Sequence, residues 1–318
     1  MNSKEARQNT TRVAVVISVL NERSAITQLL FALAVQTRLP DEVLIADGCS
    51  TDGTVDAIHE VLSSLPFPVI IIPQPGNISK GRNAAIQQCS ADIIAVTDAG
   101  CVPHVTWLEQ ITAPIREGRV QAVAGAYRAA ARTPLERAIA VFSWVDVTRP
   151  GARFRPSHRS VAYLREVWKD IGGYQENLDS AEDTLFDIEV ERRFAVEAVP
   201  RAIVDWHPRS SFRGALRQQL FYGTGDGRGR IMLRYHVAVG LFVVAEILVL
   251  IGSGYVRLLA GALLAAASFY FIAKTHRLFE RMALASLPFV ILLMFALPPA
   301  RLFGFFIGIS GNKMLSRG

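Results

Sequence analysis

Residues 42–54 read EVLIADGCSTDGT, a short apolar run that ends in an acidic loop containing glycine. A continuous apolar run of this length is typical of a buried strand, and we predict a strand over Glu42–Ala46. In the loop Asp47–Asp52, glycine and small hydroxyl residues allow a ligand to approach the backbone closely. Asp47 has the chemistry to accept a hydrogen bond from a base N–H, whereas Ser50 and Asp52 also suit ordinary capping of the next helix.

The same alternation of strand and helix continues on both sides of this stretch. The predicted elements are strands over Val13–Leu20, Glu42–Ala46, Val69–Ile72 and Ile93–Thr97, and helices over Ser24–Gln36, Thr54–Leu65 and Ser79–Gln88. Strands that alternate with helices predict an α/β fold with a doubly wound, mainly parallel sheet. Ligands of such sheets bind beyond the carboxyl ends of the strands. Three polar groups fall there, namely Asn21-Glu22, Asp47 with its loop, and Asp98.

The last quarter of the chain is strongly apolar. Hydrophobic residues make up 51% of the 318 residues, and they concentrate in Val237–Gly254, Leu258–Ala273 and Met282–Leu297. Each segment is near the lower limit for a membrane span, about 17 residues. Core helices of a soluble domain are the alternative, but three such segments in a row with short connections favour a membrane region. We expect Pro298-Pro299 to end the third segment and Arg301–Ile309 to be re-entrant or interfacial.

These features predict three regions. Residues 1–210 form a catalytic domain, residues 211–235 a basic amphipathic segment at the membrane interface, and residues 236–318 a transmembrane region of two to three helices. The spacing of Phe212, Leu216 and Leu220 suits a helix lying on a membrane, although an ordinary surface helix fits equally well. The polar N-terminus is not followed by a long apolar core, so we predict no signal peptide. The cysteines form no CxxC pair, which argues against a zinc site.

Basic residues flank the apolar segments and predict their orientation. They are Arg228, Arg230, Arg234, Lys274, His276, Arg277 and Arg281. Because basic residues beside spans stay in the cytoplasm, we predict a multi-pass inner-membrane protein with a cytoplasmic catalytic domain. Lys313 and Arg317 also favour the cytoplasm, which conflicts with a third full span. The net charge of +6 therefore indicates a membrane partner and no nucleic acid. Glu246 is costly within a span and is expected to face protein or an interface.

Several polar residues have the chemistry of a phosphate and metal site. Asp98 follows a buried strand and suits a divalent ion, although a turn-forming Asp before Gly100 is the plainer interpretation. Lys80 and Arg82 open a helix, where cations and free backbone N–H groups favour a diphosphate; a solvated basic turn is the alternative. His207 follows an apolar strand and has the chemistry to complete a metal site with Asp98, although a lone histidine is usually structural.

Glu182-Asp183 follows a polar stretch. Adjacent carboxylates point in different directions, so one can act as a general base while the other orients a partner. A capped, exposed helix start is the alternative interpretation.

Taken together, these residues resemble family 2 glycosyltransferases, which have the A-type nucleotide-sugar glycosyltransferase fold. The resemblance covers about Arg12 to His207. Its motifs are Val19–Glu22, Asp47–Thr54, Lys80–Ala85, Thr97–Gly100, Gly172–Glu176, Glu182-Asp183 and His207.

The resemblance implies a role for each matching residue. Asn21, Glu22, Asp47, Lys80, Arg82 and Asp98 would bind the donor, Gly173 and Tyr174 would lie on the acceptor side, and Asp98 and His207 would hold Mg²⁺ or Mn²⁺. Asp183 would deprotonate the acceptor hydroxyl, with Glu182 beside it, and in-line attack would invert the anomeric carbon. The implied enzyme is a metal-dependent hexosyltransferase that uses a nucleotide sugar, with UDP as the favoured base. Its acceptor is expected to be lipid-linked or a saccharide, for glycolipid or cell-envelope polysaccharide synthesis.

The sequence departs from the family in two places. Gly100 replaces the second Asp of the metal motif, so the ion loses one carboxylate. No Gln-x-x-Arg-Trp follows His207, which argues against a processive synthase. One alternative is therefore a catalytically inactive membrane scaffold that binds nucleotide sugars. A nucleotidyltransferase is a weaker alternative, because Asn21-Glu22-Arg23 stands where a Gly-rich basic loop would be needed.

Overall fold

The computed structural model describes residues 11–143, 156–279 and 284–311, with the backbone alone for residues 272–279 and 284. These residues divide into two compact units. The first unit comprises residues 11–130 and 156–207 of the described chain, and the second comprises residues 131–143, 208–279 and 284–311. Residues 131–143 pack with the C-terminal helices. The boundary of the catalytic domain at residue 210 stays a prediction.

The first unit is built on a mixed eight-stranded sheet with the order β3-β2-β1-β4-β7-β6-β8-β5. Its strands are β1 (Val13–Val19), β2 (Glu42–Asp47), β3 (Val69–Pro73), β4 (Ile93–Val96), β5 (Cys101–Pro103), β6 (Ala122–Ala129), β7 (Val161–Leu164) and β8 (Val196–Trp206). Strands β1 to β4 pair in parallel, as predicted, and β6 pairs with β8 in parallel. Because β7 enters between β4 and β6 in the opposite direction, the second half of the sheet is mixed.

The helices of the first unit cover both faces of this sheet. They are α1 (Arg23–Ala34), α2 (Thr54–Val61), α3 (Ile78–Gln88), α4 (Trp107–Arg116), α6 (Arg165–Ile171) and α7 (Glu182–Arg193), while α5 (Pro134–Ser143) belongs to the second unit. Every strand and helix predicted before residue 97 is present, with ends that differ by a few residues. The apolar run of β1 is almost fully buried, as expected of a strand covered on both faces.

The second unit contains the apolar helices α9 (Leu233–Ile251), α10 (Gly254–Phe279) and α11 (Leu287–Ile309), together with α5 and α8 (Phe212–Arg228). Helix α11 continues through Pro298 and Pro299, so the prediction that these prolines end the helix is wrong. Arg301–Ile309, predicted to be re-entrant or interfacial, is the last part of this helix. It is held there because α11 packs closely along α8.

Glycines allow this close packing of α8 and α11. Both helices carry a Gly-x-x-x-Gly pattern, with Gly223 and Gly227 on α8 and Gly304 and Gly308 on α11. A Cβ atom added to Gly227 would collide with the carbonyl oxygen of Phe305, and one added to any of the other three would collide with the facing backbone. Small residues at this spacing permit backbone-to-backbone contact between helices in membranes.

A substitution at Gly227 tests this packing. We expect Gly227→Ala to destabilise the second unit by about 1–3 kcal/mol, the usual cost of overpacking, and to lower the melting temperature of the detergent-solubilised protein. Gly240→Ala is the matched control, because a Cβ atom at Gly240 meets no atom within 4 Å. Alanine is the better helix former, so the control should be neutral or stabilising by up to about 1 kcal/mol. Equal melting temperatures for the two variants would contradict the packing described here.

A buried ion pair joins three helices of the second unit. The Asp226 carboxylate of α8 accepts hydrogen bonds from Arg301 of α11, the shorter at 2.8 Å, and lies 2.9 Å from the His236 ring of α9. Asp226 and His236 are buried, and His236 stacks on Phe305. Breaking such a pair by removing one partner is costly, because the other charge is left buried. No local sequence pattern marks Asp226, His236 or Arg301 as partners, because they lie on three different helices.

In the part of the chain that the structure describes, three helices are long and apolar enough to cross a membrane, over Leu233–Ile251, Gly254–Phe271 and Leu287–Ile309. Most of their apolar side chains point away from the unit, including Leu241, Leu250, Leu258 and Phe269. Glu246 is half-buried on α9, and its Oε1 atom is buried without a hydrogen-bond partner among the described residues. Arg281, Met282, Lys313 and Arg317 lie outside the described residues, as do the side chains of Lys274, His276 and Arg277. The orientation predicted from these charges stays a prediction.

Candidate active site

The loops after β1 and β2 hold each other in place. Asn21 adopts a left-handed conformation with φ 56°, and its side-chain oxygen accepts a hydrogen bond from the Thr51 N–H at 2.9 Å. In return, the Asn21 N–H donates to the Ser50 hydroxyl at 2.9 Å. The buried Asp47 carboxylate accepts hydrogen bonds from the Ser50 O–H at 2.6 Å and the Ser50 N–H at 3.1 Å. Asn21 and Asp47 therefore shape the loop edge that faces the carboxyl ends of the strands.

Capping interactions fix the starts of the helices that follow. Glu22 is the N-cap of α1, and its N–H donates to the Thr54 hydroxyl at 2.9 Å. The N-cap of α2 is Gly53, and Asp52, one residue before it, accepts the Thr54 N–H at 3.0 Å. At α3, the Asn77 side chain accepts the Lys80 N–H at 3.1 Å, and the Lys80 side chain is exposed. The exposed Lys80 side chain is therefore free to move toward a ligand.

Arg82 brings together acidic residues that are distant in sequence. Its Nη1 lies 3.2 Å from the Glu182 Oε1, and its Nη2 lies 3.3 Å from the Asp98 Oδ1. The Arg82 side chain is only 3% exposed and lies over the Tyr174 ring, 5.4 Å from the ring centroid. Burial alone would lower the pKa of the guanidinium, but the neighbouring acidic side chains raise it above its ordinary value. Arg82 therefore stays charged and links the strand-end Asp98 to α7.

The two adjacent carboxylates at the start of α7 have different surroundings. Ala181 precedes them in a left-handed conformation with φ 67° and begins the helix. Glu182 is buried against Arg82, whereas Asp183 is half-buried and accepts the Thr184 N–H at 2.7 Å. A helix N-terminus favours negative charge on both. Glu182 is thus engaged in orienting Arg82, and Asp183 is the more accessible carboxylate.

A second arginine, which the sequence analysis did not identify, also approaches Asp98. The Arg159 Nε lies 3.9 Å from the Asp98 Oδ2, an ion-pair distance too long for a hydrogen bond. The guanidinium lies 4.4 Å from the centroid of the Trp206 ring and 5.3 Å from that of Tyr127. No local pattern marks Arg159, because its partners come from β6, β8 and the loop after β4.

Asp98 and His207 lie near the same end of the antiparallel strand pair formed by β5 and β8. Cys101 of β5 pairs with Trp206 of β8 in an antiparallel ladder, so Asp98 and His207 leave the same end of that ladder. His207 is exposed, and its Nδ1 lies 3.1 Å from the Ala130 carbonyl oxygen. Within residues 11–143, 156–271 and 285–311, no group of three His, Cys, Asp or Glu side chains is arranged to hold a metal ion.

Residues 14–163 match the model of glycosyl transferase family 2. This chain carries a family 2 glycosyltransferase domain. It is 28% identical over 250 residues to the glycosyltransferase AglE of Haloferax volcanii, an alignment that covers 74% of this chain and 81% of that protein. It is 25% identical over 245 residues to the succinoglycan biosynthesis protein ExoA of Rhizobium meliloti, covering 73% of each. The chain is therefore a glycosyltransferase of family 2 type, related to enzymes of cell-envelope and glycan synthesis.

Solved structures show the same fold. The mannosyltransferase PcManGT from Pyrobaculum calidifontis, in complex with GDP-Man and Mn²⁺, superposes with a TM-score of 0.56 at 18% identity, covering 96% of this chain and 89% of that chain. S. aureus TarS 1–349 in complex with UDP-GlcNAc superposes with a TM-score of 0.52 at 17% identity, covering 95% and 91%. The A-type glycosyltransferase fold predicted from the sequence is confirmed.

The side chains near Asp98 suit a divalent ion that takes some of its ligands from the protein and the others from the substrate. Mg²⁺ is commonly held by one or two carboxylates together with phosphate oxygens and water. Asp98 provides one carboxylate, with its side chain 37% exposed, and His207 is exposed at the same end of the β5–β8 ladder. A Cβ atom at Gly100 would meet nothing within 4 Å, so this position leaves room beside Asp98. Metal binding by Asp98 and His207 stays a prediction.

Gly173 and Tyr174 are predicted to lie on the acceptor side, and in the structure both pack against other residues of the first unit. The Tyr174 ring is buried, and its hydroxyl lies 2.8 Å from the Tyr163 hydroxyl and 3.0 Å from the His158 Nδ1. Burial raises the pKa of Tyr174 well above its ordinary value, so the phenol stays neutral. Gly173 has φ 81° and passes close to the Asn83 side chain. A contact between Tyr174 and an acceptor stays a prediction that the buried ring does not favour.

Proposed function

We propose that this family 2 glycosyltransferase is an inverting, metal-dependent enzyme that transfers a hexose from a nucleoside-diphosphate sugar, with UDP favoured, to a lipid-linked or saccharide acceptor. The observation that carries the proposal is that Asp98 and Glu182 both contact the buried Arg82, with Asp183 adjacent to Glu182 at the start of α7. Inverting transfer needs a cationic site for the leaving diphosphate and a base beside the acceptor hydroxyl, and these residues supply both.

Each residue has a part in donor binding. Asn21, Glu22 and Asp47 form the loop edge that would hold the nucleoside, and Lys80 and Arg82 carry the charge that would bind the diphosphate. Asp98, with His207, would hold Mg²⁺ or Mn²⁺. When bound, such an ion neutralises the charge that develops on the leaving diphosphate.

The transfer itself is a single displacement. Asp183 accepts the proton of the acceptor hydroxyl, whose oxygen attacks the anomeric carbon from the face opposite the diphosphate. The new carbon–oxygen bond forms as the bond to the phosphate oxygen breaks, and the nucleoside diphosphate leaves with the electron pair. The anomeric configuration is therefore inverted. Glu182 keeps Arg82 in position during this step and does not itself receive the proton.

The apolar helices support a lipid-linked acceptor. Three candidate spans present exposed apolar side chains, which is the surface expected of a membrane anchor. Arg230, just before the first span, and Arg234, in its first turn, are exposed basic residues and favour the cytoplasmic leaflet of a cell membrane. An enzyme anchored there meets lipid-linked hydroxyls and phosphates before it meets soluble acceptors.

Product analysis tests the proposed function. The purified full chain is incubated with UDP- and GDP-sugars, Mg²⁺ or Mn²⁺, and a polyprenyl-linked saccharide in vesicles. We expect release of nucleoside diphosphate together with a glycosylated lipid of inverted configuration, both abolished by EDTA. In a parallel incubation with UTP and a sugar 1-phosphate, release of inorganic diphosphate would indicate a nucleotidyltransferase instead. Donor binding without any transfer would favour the inactive scaffold, and retained configuration would contradict the single displacement.

A further inference from the structure

Helices α8 and α11 of the second unit run parallel to each other and are held together as one pair. A Cβ atom at Gly223 would collide with the Arg301 carbonyl oxygen. One turn further along, a Cβ atom at Gly227 would collide with the carbonyl oxygen of Phe305, so both helices run in the same direction. Arg301 also donates to the Asp226 carboxylate of α8. Because glycines let the two backbones touch, the position of α11 relative to a membrane also fixes the position of α8.

Helix α8 is too polar to cross a membrane beside α11. The register of the pair places Arg217 near the middle of α11. In agreement with this register, Ala215 packs in one cluster with Leu293 and Leu297. Arg213 and Arg217, one turn apart, are exposed, and neither has an ion-pair partner among the described residues. If the whole of α11 crossed a bilayer, both arginines would lie in the hydrocarbon, where an exposed charged side chain is among the costliest.

Helix α11 is exposed along one side only. Large apolar side chains recur on this side at helical spacing, and they include Ile291, Leu292, Phe295, Phe303, Phe306 and Ile309. The opposite side, with Leu293, Leu297 and Phe305, is buried in the second unit. In an 18-residue apolar stretch of each helix, 39% of α11 is buried in the protein, against 6% of α10. Helix α10 therefore has the surface of a span surrounded by lipid, whereas α11 and α8 together form an amphipathic pair of the kind that lies in a membrane interface.

We propose that α11 does not cross the membrane but lies along one leaflet, with its exposed apolar side among the acyl chains. Helix α8 then lies at the level of the headgroups, where Arg213 and Arg217 pair with lipid phosphates. The surface is complementary to a leaflet that contains acidic lipids, because the two arginines add positive charge beside an apolar face. The inference goes beyond the proposed reaction and does not depend on it.

This arrangement fixes the number of spans. Helices α9 and α10 form a two-span hairpin, and the chain returns after α10 to the side on which α9 begins. Lys313 and Arg317 then lie on the same side as Arg230 and Arg234. All four obey the preference of basic residues for the cytoplasm, whereas a third span would place Lys313 and Arg317 on the opposite side.

Single cysteines labelled in sealed membrane vesicles test the path of α11. Ser210→Cys precedes α8, Ser253→Cys lies between α9 and α10, and Ser310→Cys follows α11; all three serines are exposed. Each is made in a Cys49→Ser background, because Cys49 is exposed and the other two cysteines are buried. A maleimide that does not cross membranes is added to right-side-out and to inverted vesicles. We expect Ser310→Cys to be labelled in the same vesicles as Ser210→Cys, and Ser253→Cys in the other preparation only.

The labelling pattern decides between the arrangements. Labelling of Ser310→Cys together with Ser253→Cys, and not with Ser210→Cys, would show that α11 crosses the membrane and would overturn the inference. Labelling of all three in one preparation would overturn the two-span hairpin. If Ser310→Cys does not fold, an epitope appended after Gly318 and exposed to an impermeant protease gives the same comparison.

Melting temperatures of the full chain in lipid nanodiscs test the contact with headgroups. The wild-type protein should melt at a higher temperature in phosphatidylglycerol than in phosphatidylcholine, and Arg213→Gln combined with Arg217→Gln should reduce this difference. Arg192→Gln is the control and should keep the difference, since Arg192 is exposed on α7 and pairs with Glu189. An undiminished difference in the double variant would exclude the two arginines as headgroup ligands.

Discussion

Replacing Asp183 by Asn is expected to lower the rate of sugar transfer by about 10³-fold, because a positioned general base contributes 10²–10⁴-fold. Asparagine keeps the size of the side chain and an oxygen for the Thr184 N–H, which Asp183 accepts at 2.7 Å, so α7 should begin as before. What is lost is the ability to accept the proton of the acceptor hydroxyl. Initial rates of nucleoside diphosphate release, with and without acceptor, measure the effect.

The binding data for this variant matter as much as the rate. Donor affinity should remain within about threefold of wild type. Asp183 carries no positive charge, so it does not itself bind the phosphates of the donor. Glu189→Gln is the matched control, because Glu189 lies on the same helix and pairs with the exposed Arg192. A transfer rate for Asp183→Asn within tenfold of wild type would exclude Asp183 as the base. In that case Glu182 would not be the substitute, because it is buried against Arg82.

The first half of the sheet was predictable because its signals are local. Buried parallel strands are continuous apolar runs, and helices such as α1 place Ile26, Leu29, Leu30 and Leu33 on one buried face. Once strands and helices alternate, topology places the ends of β1, β2 and β4 at one edge. Helix α3 follows β3, which is also parallel, so the same rule places the start of α3 at the edge where Asp98 lies.

The remaining features depend on contacts that no local pattern encodes. Nothing in the sequence around Val161 indicates that β7 enters the sheet antiparallel between β4 and β6. Similarly, Pro298 and Pro299 normally interrupt a helix, but α11 continues past them and packs its last turns against the glycines of α8. Charged residues were recognised where a family motif surrounds them, as at Arg82. Arg159 was missed because its significance comes from Trp206 and Asp98, which are remote in sequence.

Replacing Asp98 by Asn should reduce transfer by about 10²-fold or more, since a metal ion contributes several kcal/mol of charge stabilisation and 1.4 kcal/mol is a factor of ten. The protein should still fold, because the amide can accept a hydrogen bond from Arg82, which also keeps Glu182. The variant should lose its response to Mn²⁺, measured as rate against metal concentration. An unchanged metal response would exclude Asp98 as a ligand.

Gly100→Asp provides the opposite change at the same site. A Cβ atom at position 100 would meet no atom within 4 Å, so the first atom of an added carboxylate side chain has room two residues from Asp98. If one carboxylate, substrate oxygens and water hold the ion in the natural chain, this variant should bind Mn²⁺ about tenfold more tightly. Asp98→Asn combined with Gly100→Asp should recover part of the metal response if the two positions share one ion. Failure of the double variant to recover any response, with tighter binding in Gly100→Asp alone, would mean that position 100 binds a separate ion and that Asp98 serves chiefly as the partner of the two arginines.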